Sequence, residues 1–253
     1  MATFVLVHGA TAGGWIWRPV PSLLRAAGHE VYTPTLTGLG ERRHLFSPDI
    51  SMETHILDVL QVLAFEDLNQ VILVGHSYGG AVITGVAEQA AERLSHLVYL
   101  DAFVPQDGEA VRDLYDPPVA DALAEYYLSG GRSSAEGGSA IEDPRFTAHP
   151  LKTFIHPLQL KNEAAKALPR TYIFCTEKTE MGLRAQGIIR SAERARAAGW
   201  GYHELHTGHH PMWTLPAELT NLLLSIARAG FWGMADKKAL ETANQTDTGL
   251  CRK

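Results

Sequence analysis

One serine is set among glycines. Ser77 lies in Gly75-His76-Ser77-Tyr78-Gly79, a G-x-S-x-G pentapeptide. A serine hydroxyl is a weak nucleophile at neutral pH. It needs an imidazole within hydrogen-bond reach, and a carboxylate to hold that imidazole in the right tautomer. Twelve histidines are present, so a histidine by itself signals little. His8 precedes a glycine loop and His76 sits inside the pentapeptide, settings in which a histidine more often bonds backbone than does chemistry. His209 and its neighbour His210 follow Gly208 and precede Pro211, and they are the candidates for the base. Asp101 ends an apolar run and is a candidate acid; its plainer reading is a strand-end carboxylate capping a local turn.

These residues need elements to position them. Val71 to Val74 is a short, β-branched apolar run that reads as a buried strand, and Gly80 to Ala90 is small and apolar enough for a packed helix. Strand, tight turn and helix around a serine is the context of a nucleophile elbow. Thr3 to Val7 reads as a strand ending in the glycine-rich loop His8 to Trp15. That loop lacks both G-x-G-x-x-G and Gly-Lys-Ser/Thr, so an oxyanion-binding loop is expected rather than a phosphate cradle. Further strands are expected at 29–35, 95–101, 169–175 and 200–206. Helices are expected at 18–27, 52–65 with Ser51 as N-cap, 182–198, and 217–229 behind Pro216. Alternation of strand and helix predicts an α/β fold, a doubly wound and mostly parallel sheet. Residues 1–108 and 168–234 would form its core. Residues 109–167 change character, with Pro117-Pro118 and a glycine–serine run at 129–139, and are expected to form an inserted lid over the site. Residues 235–253 are polar, without apolar periodicity, and are expected to be a frayed tail.

Composition narrows the function classes. The chain has 253 residues, 45% hydrophobic, with a formal net charge of −6. That suits one substantial core, and no basic stripe suggests nucleic acid or an anionic membrane. Neither a leader pattern nor an apolar run of spanning length is present. Two cysteines, Cys175 and Cys251, make no disulfide framework or zinc spacing, so a cytoplasmic, reducing compartment and no metal or cofactor are expected. A small-molecule substrate is the expected partner, with a homodimer left open.

Phe4-Val5-Leu6-Val7-His8-Gly9-Ala10, Gly13-Gly14-Trp15-Ile16-Trp17, Gly75 to Gly80 and Gly208-His209-His210-Pro211-Met212 together resemble the α/β-hydrolase fold superfamily. More narrowly they are similar to the branch of plant methylesterases, hydroxynitrile lyases and bacterial esterases. The resemblance implies His209, directly after the glycine, as the base. It implies the amides of Ala10 and Tyr78 as the oxyanion hole, and an ester of a small or medium-sized substrate, cleaved without a cofactor. The acid is where this chain departs. The aspartate common after the strand matching Thr171 to Cys175 is replaced by Lys178, and a lysine there would repel an imidazolium. Of the acids that remain, Asp101 is the one expected, with Glu177 and Glu180 as alternatives and no orienting acid as a fourth possibility. Asp101 holds a topological position used by some haloalkane dehalogenases and pancreatic-type lipases. Tyr126, Tyr127 and Phe146 are candidates for contacting substrate from the lid. The branch's lyases carry a threonine after the loop histidine and a lysine after the catalytic one, where this chain has Gly9 and His210. Their absence favours an esterase over a lyase; a non-catalytic receptor on the same fold is the other alternative.

Overall fold

The computed structural model describes residues 1–130 and 142–229. Six strands, β1 (Thr3–Val7), β2 (Glu30–Tyr32), β3 (Val71–His76), β4 (Leu94–Leu100), β5 (Arg170–Cys175) and β6 (Gly201–Leu205), form one sheet in the order β2-β1-β3-β4-β5-β6. Every pairing is parallel. The chain winds outward from β1 to β2, then returns to place β3 on the other side of β1. That reversal makes a topological switch point, where ligands bind at the carboxyl ends of strands.

Alternation along each strand sends side chains to two separate cores. Phe4, Leu6, Ile72, Val74, Val98 and Leu100 face one way, against α1 (Pro19–Ala26) and the final helix at residues 216–229. Val5, Val7, Leu73, Leu97 and Tyr99 face the other way, against α2 (Met52–Phe65) and α3 (Gly79–Ala90). Covering on both faces suits the apolar run Val71 to Val74 of β3, and all six residues of β3 are buried. At the start of α2, the Ser51 N–H donates to Thr54 Oγ1 at 3.3 Å. Between β4 and β5 the chain makes α4 (Pro117–Leu128), α5 (Lys152–Ile155) and α6 (Glu163–Lys166). After β5 come α7 (Ala185–Ala197) and, past β6, the short α8 (Pro211–Thr214).

The strand expected at 29–35 is shorter, because the chain leaves the sheet after Tyr32. The helix expected from Gly182 begins at Ala185. Gly182 takes φ 56°, a left-handed backbone that breaks a helix, and Thr179–Arg184 is a 3-10 segment instead. The glycine–serine run from 131 onward and the tail at 235–253 lie outside the described residues. Among the described residues no helix is long and apolar enough to cross a membrane.

Candidate active site

Ser77 follows β3 in left-handed backbone, φ 53°, which a residue with a side chain adopts only under constraint. Its neighbours show the constraint. A Cβ on Gly75 would lie 2.5 Å from the Gly79 carbonyl oxygen, and one on Gly79 would lie 2.7 Å from that of Val7. The spacing of glycines around the serine is therefore a packing requirement between the turn and the end of β1. Hydrogen bonds tie the turn to the neighbouring strand end. Ser77 N–H donates to Leu100 O at 3.2 Å, and Phe103 N–H donates to Ser77 O at 3.0 Å.

The loop after β1 lies against the serine. A Cβ on Gly9 would fall 2.9 Å from Ser77 Cβ. His8 holds this loop: Leu36 N–H donates to its Nε2 at 3.0 Å, which leaves Nδ1–H to donate to Gly9 O at 2.8 Å. Among the described residues the N–H groups of Ala10 and Tyr78 have no protein acceptor, and Tyr78 is the residue before α3, where backbone N–H groups are unpaired by geometry.

Asp101 comes directly after β4, fully buried, at φ 45°. Aspartate tolerates this conformation better than most side chains. The turn is anchored by Asp101 N–H to Ile173 O at 2.7 Å. Tyr172 secures the next residue, accepting from Ala102 N–H at 3.0 Å and donating to Ala102 O at 2.8 Å. The Asp101 carboxylate then meets three groups. His209 Nδ1 lies 2.7 Å from Oδ2, Cys175 N–H donates to Oδ1 at 3.0 Å, and Lys178 Nζ contacts both oxygens, at 2.6 Å to Oδ2. Burial raises the pKa of the carboxyl from its ordinary value, while Lys178 and the Cys175 N–H pull it back down. An ionised Asp101 accepts from Nδ1–H, so Nε2 of His209 is left as the free acceptor.

The loop carrying His209 is held by its backbone. His209 N–H donates to Glu180 Oε1 at 2.9 Å, and His76 Nε2–H donates to His209 O at 2.7 Å. The pKa of His209 is well below its ordinary value, through burial first and then the charges of His210, Lys178 and Arg184. A neutral imidazole of this kind is ready to accept a proton. Ser77 and His209 line the same cavity of about 270 Å³, together with Gly9, Ala10, Tyr126, Tyr127, Phe146 and Trp213. Ser77 Oγ and His209 Nε2 have no protein hydrogen-bond partner among the described residues. His210 stacks on Trp213, with ring centroids 5.3 Å apart.

The acids separated in the sequence are thus placed differently. Asp101 reaches the imidazole, Glu180 reaches the backbone of the same residue, and Glu177 is exposed, with its N–H donating to Thr207 O. His76 bonds backbone, as its setting suggested, but sequence reasoning named neither His209 as its partner nor the contact of Glu180 with the His209 N–H, and no local pattern signals them. The Lys178 contact did leave a sign, a cation standing in a place where a carboxylate is expected.

A model described as the alpha/beta hydrolase family matches residues 4–222. The chain belongs to the alpha/beta hydrolase family. This hydrolase is 36% identical over 245 residues to the carbendazim hydrolyzing esterase of Nocardioides sp. (strain SG-4G), covering 89% of this chain and 100% of that one. It is 27% identical to methylesterase 7 of Arabidopsis thaliana, covering 88% and 95%. Among solved structures, an extracellular alpha/beta-hydrolase from a Paenibacillus species superposes with a TM-score of 0.73 at 25% identity, over 89% of this chain and 98% of that one. The expected fold class and branch both stand on these findings. Among the described residues of this hydrolase, no group of three or more His, Cys, Asp or Glu side chains is placed to hold a metal ion.

Proposed function

We propose that this carboxylesterase-type hydrolase cleaves the ester of a small or medium-sized substrate through an acyl-enzyme on Ser77. His209 takes the Ser77 proton as the hydroxyl attacks, gives it to the leaving alcohol, and then activates water for deacylation. Asp101 keeps the imidazole in the Nδ1–H tautomer and faces the imidazolium once it forms. The amides of Ala10 and Tyr78 hold the tetrahedral oxyanion, a role worth roughly 3–4 kcal/mol in such sites. The observation that carries this assignment is the 2.7 Å contact of His209 with buried Asp101, at the wall of the cavity that Ser77 also lines.

Residues 109–167 act as the lid in this proposal. Support comes from Tyr126, Tyr127 and Phe146, which line that cavity. Their flat apolar faces suit a planar or aromatic portion of the substrate, and the methylesterase relatives suit a short alcohol. A reducing compartment remains part of the proposal, on a composition of two cysteines. A lyase is disfavoured on packing as well as sequence, since Gly9 has no room for a Cβ beside Ser77.

The test is labelling and turnover together. A fluorophosphonate should label the protein stoichiometrically at Ser77, and Ser77→Ala should abolish both labelling and nitrophenyl ester hydrolysis. Ester turnover that survives Ser77→Ala sinks the proposal.

A further inference from the structure

Lys178 stands within the charged heart of the site without touching the cavity. Its Nζ contacts both oxygens of Asp101 and lies 4.4 Å from the centre of the Phe174 ring, and its side chain is 13% exposed. A lysine in that setting is an ion pair taken largely out of water, which persists only where geometry and counter-charge are both good. We propose that Lys178 is a positioning residue that keeps Asp101 ionised and aimed at His209, and thereby extends the working range of the site toward acid pH. This rests on the reading of Ser77, His209 and Asp101 given above.

Charge counting carries it. With Lys178 positive, Asp101 negative and His209 neutral, the buried set sums to zero. Without the lysine charge it sums to −1, and a proton bound at the Asp101–His209 pair restores neutrality. His209 would then hold a proton to higher pH and fail as a base earlier on acidification. The other groups around the pair do not take over the role. His76 from β3 and His210 from the same loop are held neutral by burial. Below Asp101, burial pushes both the Cys175 thiol and the Tyr172 phenol up, so they too stay neutral. Glu180 accepts from the His209 backbone, and Arg184 donates to Glu180 O and stacks on Tyr126. Lys178 thus supplies the positive charge seated on the Asp101 carboxylate.

The experiment is kcat/KM against pH for hydrolysis of p-nitrophenyl acetate by the wild-type protein, Lys178→Met, Lys178→Gln and Lys178→Arg. Glutamine keeps a hydrogen-bond donor without the charge, and arginine keeps the charge. The acid limb of the Met and Gln profiles should move at least one pH unit toward neutral, so that activity on that limb, relative to plateau, falls at least tenfold. The Arg profile should keep the wild-type limb. Limbs that coincide in wild type, Met and Gln overturn the assignment, as does an Arg variant that moves as far as Gln. If Met does not fold, the Gln and Arg comparison decides alone. A wild-type turnover insensitive to Ser77→Ala would instead defeat the underlying triad, so the two failures are distinct.

Discussion

Two buried clusters of histidines flank the elbow, and they differ in what their nitrogens touch. On one side His8, His55 and His149 are fully partnered. His55 donates to Thr37 O and accepts from Tyr78 Oη, each at 2.9 Å. His149 accepts from Thr11 N–H at 3.2 Å and donates to Thr153 Oγ1 at 2.9 Å. Burial keeps these rings neutral, with His8 and His55 lowered to about 4. On the other side His209 spends one nitrogen on a charged carboxylate and turns the other to the cavity. A histidine whose two nitrogens are both satisfied by neutral groups is a strut. One satisfied on a single side by an ion is equipped to move a proton. The neutral cluster still serves the site, because it braces the loop bearing Ala10 and the residue after Ser77.

The sharpest break in this contrast is Asp101→Asn. Asparagine tolerates the left-handed turn, yet its amide favours the wrong His209 tautomer, so kcat should fall by about ten-thousand-fold. Steady-state kinetics on a folded sample checks this. The change also leaves Lys178 facing a neutral group in a largely buried place. Adding Lys178→Met should therefore recover thermal stability without recovering turnover, as melting curves beside the kinetics would show.

Next in size is the neutral cluster. His55→Phe leaves the Thr37 carbonyl without its partner and the Tyr78 hydroxyl with the weak Met52 Sδ contact at 3.5 Å, which should cost about 1–3 kcal/mol in urea unfolding. Turnover should fall less than tenfold. A loss in kcat as large as that of Asp101→Asn would erase the distinction between strut and base.

Acid should also find this cluster. The pKa of His8 and of His55 is lowered on folding, from 6.5 to about 4. Between those values the unfolded chain binds more protons than the native one. The contribution of these two rings to stability is therefore complete above pH 6.5 and is lost as pH falls toward 4, by roughly 3 kcal/mol for each ring. Urea midpoints measured from pH 8 to pH 4 should decline mainly in that window. The decline should flatten in His55→Phe, where one of the buried rings is absent.

The smallest effect belongs to the carboxylates in the loop after β5. Glu177→Gln should leave kcat and kcat/KM unchanged within twofold, since its side chain is exposed. Glu180→Gln keeps an oxygen for the His209 N–H and should cost only a few-fold. A loss in Glu177→Gln comparable to that of Asp101→Asn would return the acid to the later loop.

The elbow was legible in the chain because its constraints are local. Gly75, Ser77 and Gly79 sit within five positions, and the strand and helix on either side carry distinct apolar patterns. The alternation of strands and helices likewise foretold the parallel sheet with two covered faces. The start of α7 was misplaced, since a glycine within a helical pattern does not announce that it will take a positive φ. The carboxylate beside His209 was less legible for a different reason. Three acids were compatible with the chain order, and only a topological resemblance put Asp101 ahead of Glu177 and Glu180, because residue types do not give distances to an imidazole arriving from another strand.

What residue order alone determined is the set of parts: a serine in a turn that only small neighbours permit, a histidine behind a glycine, and a sheet to carry them. Tertiary structure decided the wiring. Asp101 and His209 are 108 positions apart and meet because β4 and β6 end on the same edge of the sheet, flanking β5. Lys178 joins them from the end of β5, between those strands. Contacts of this length depend on how strands register and turns aim, and electrostatics in a buried site depends on distance, so the roles of these charges follow from packing rather than from spacing.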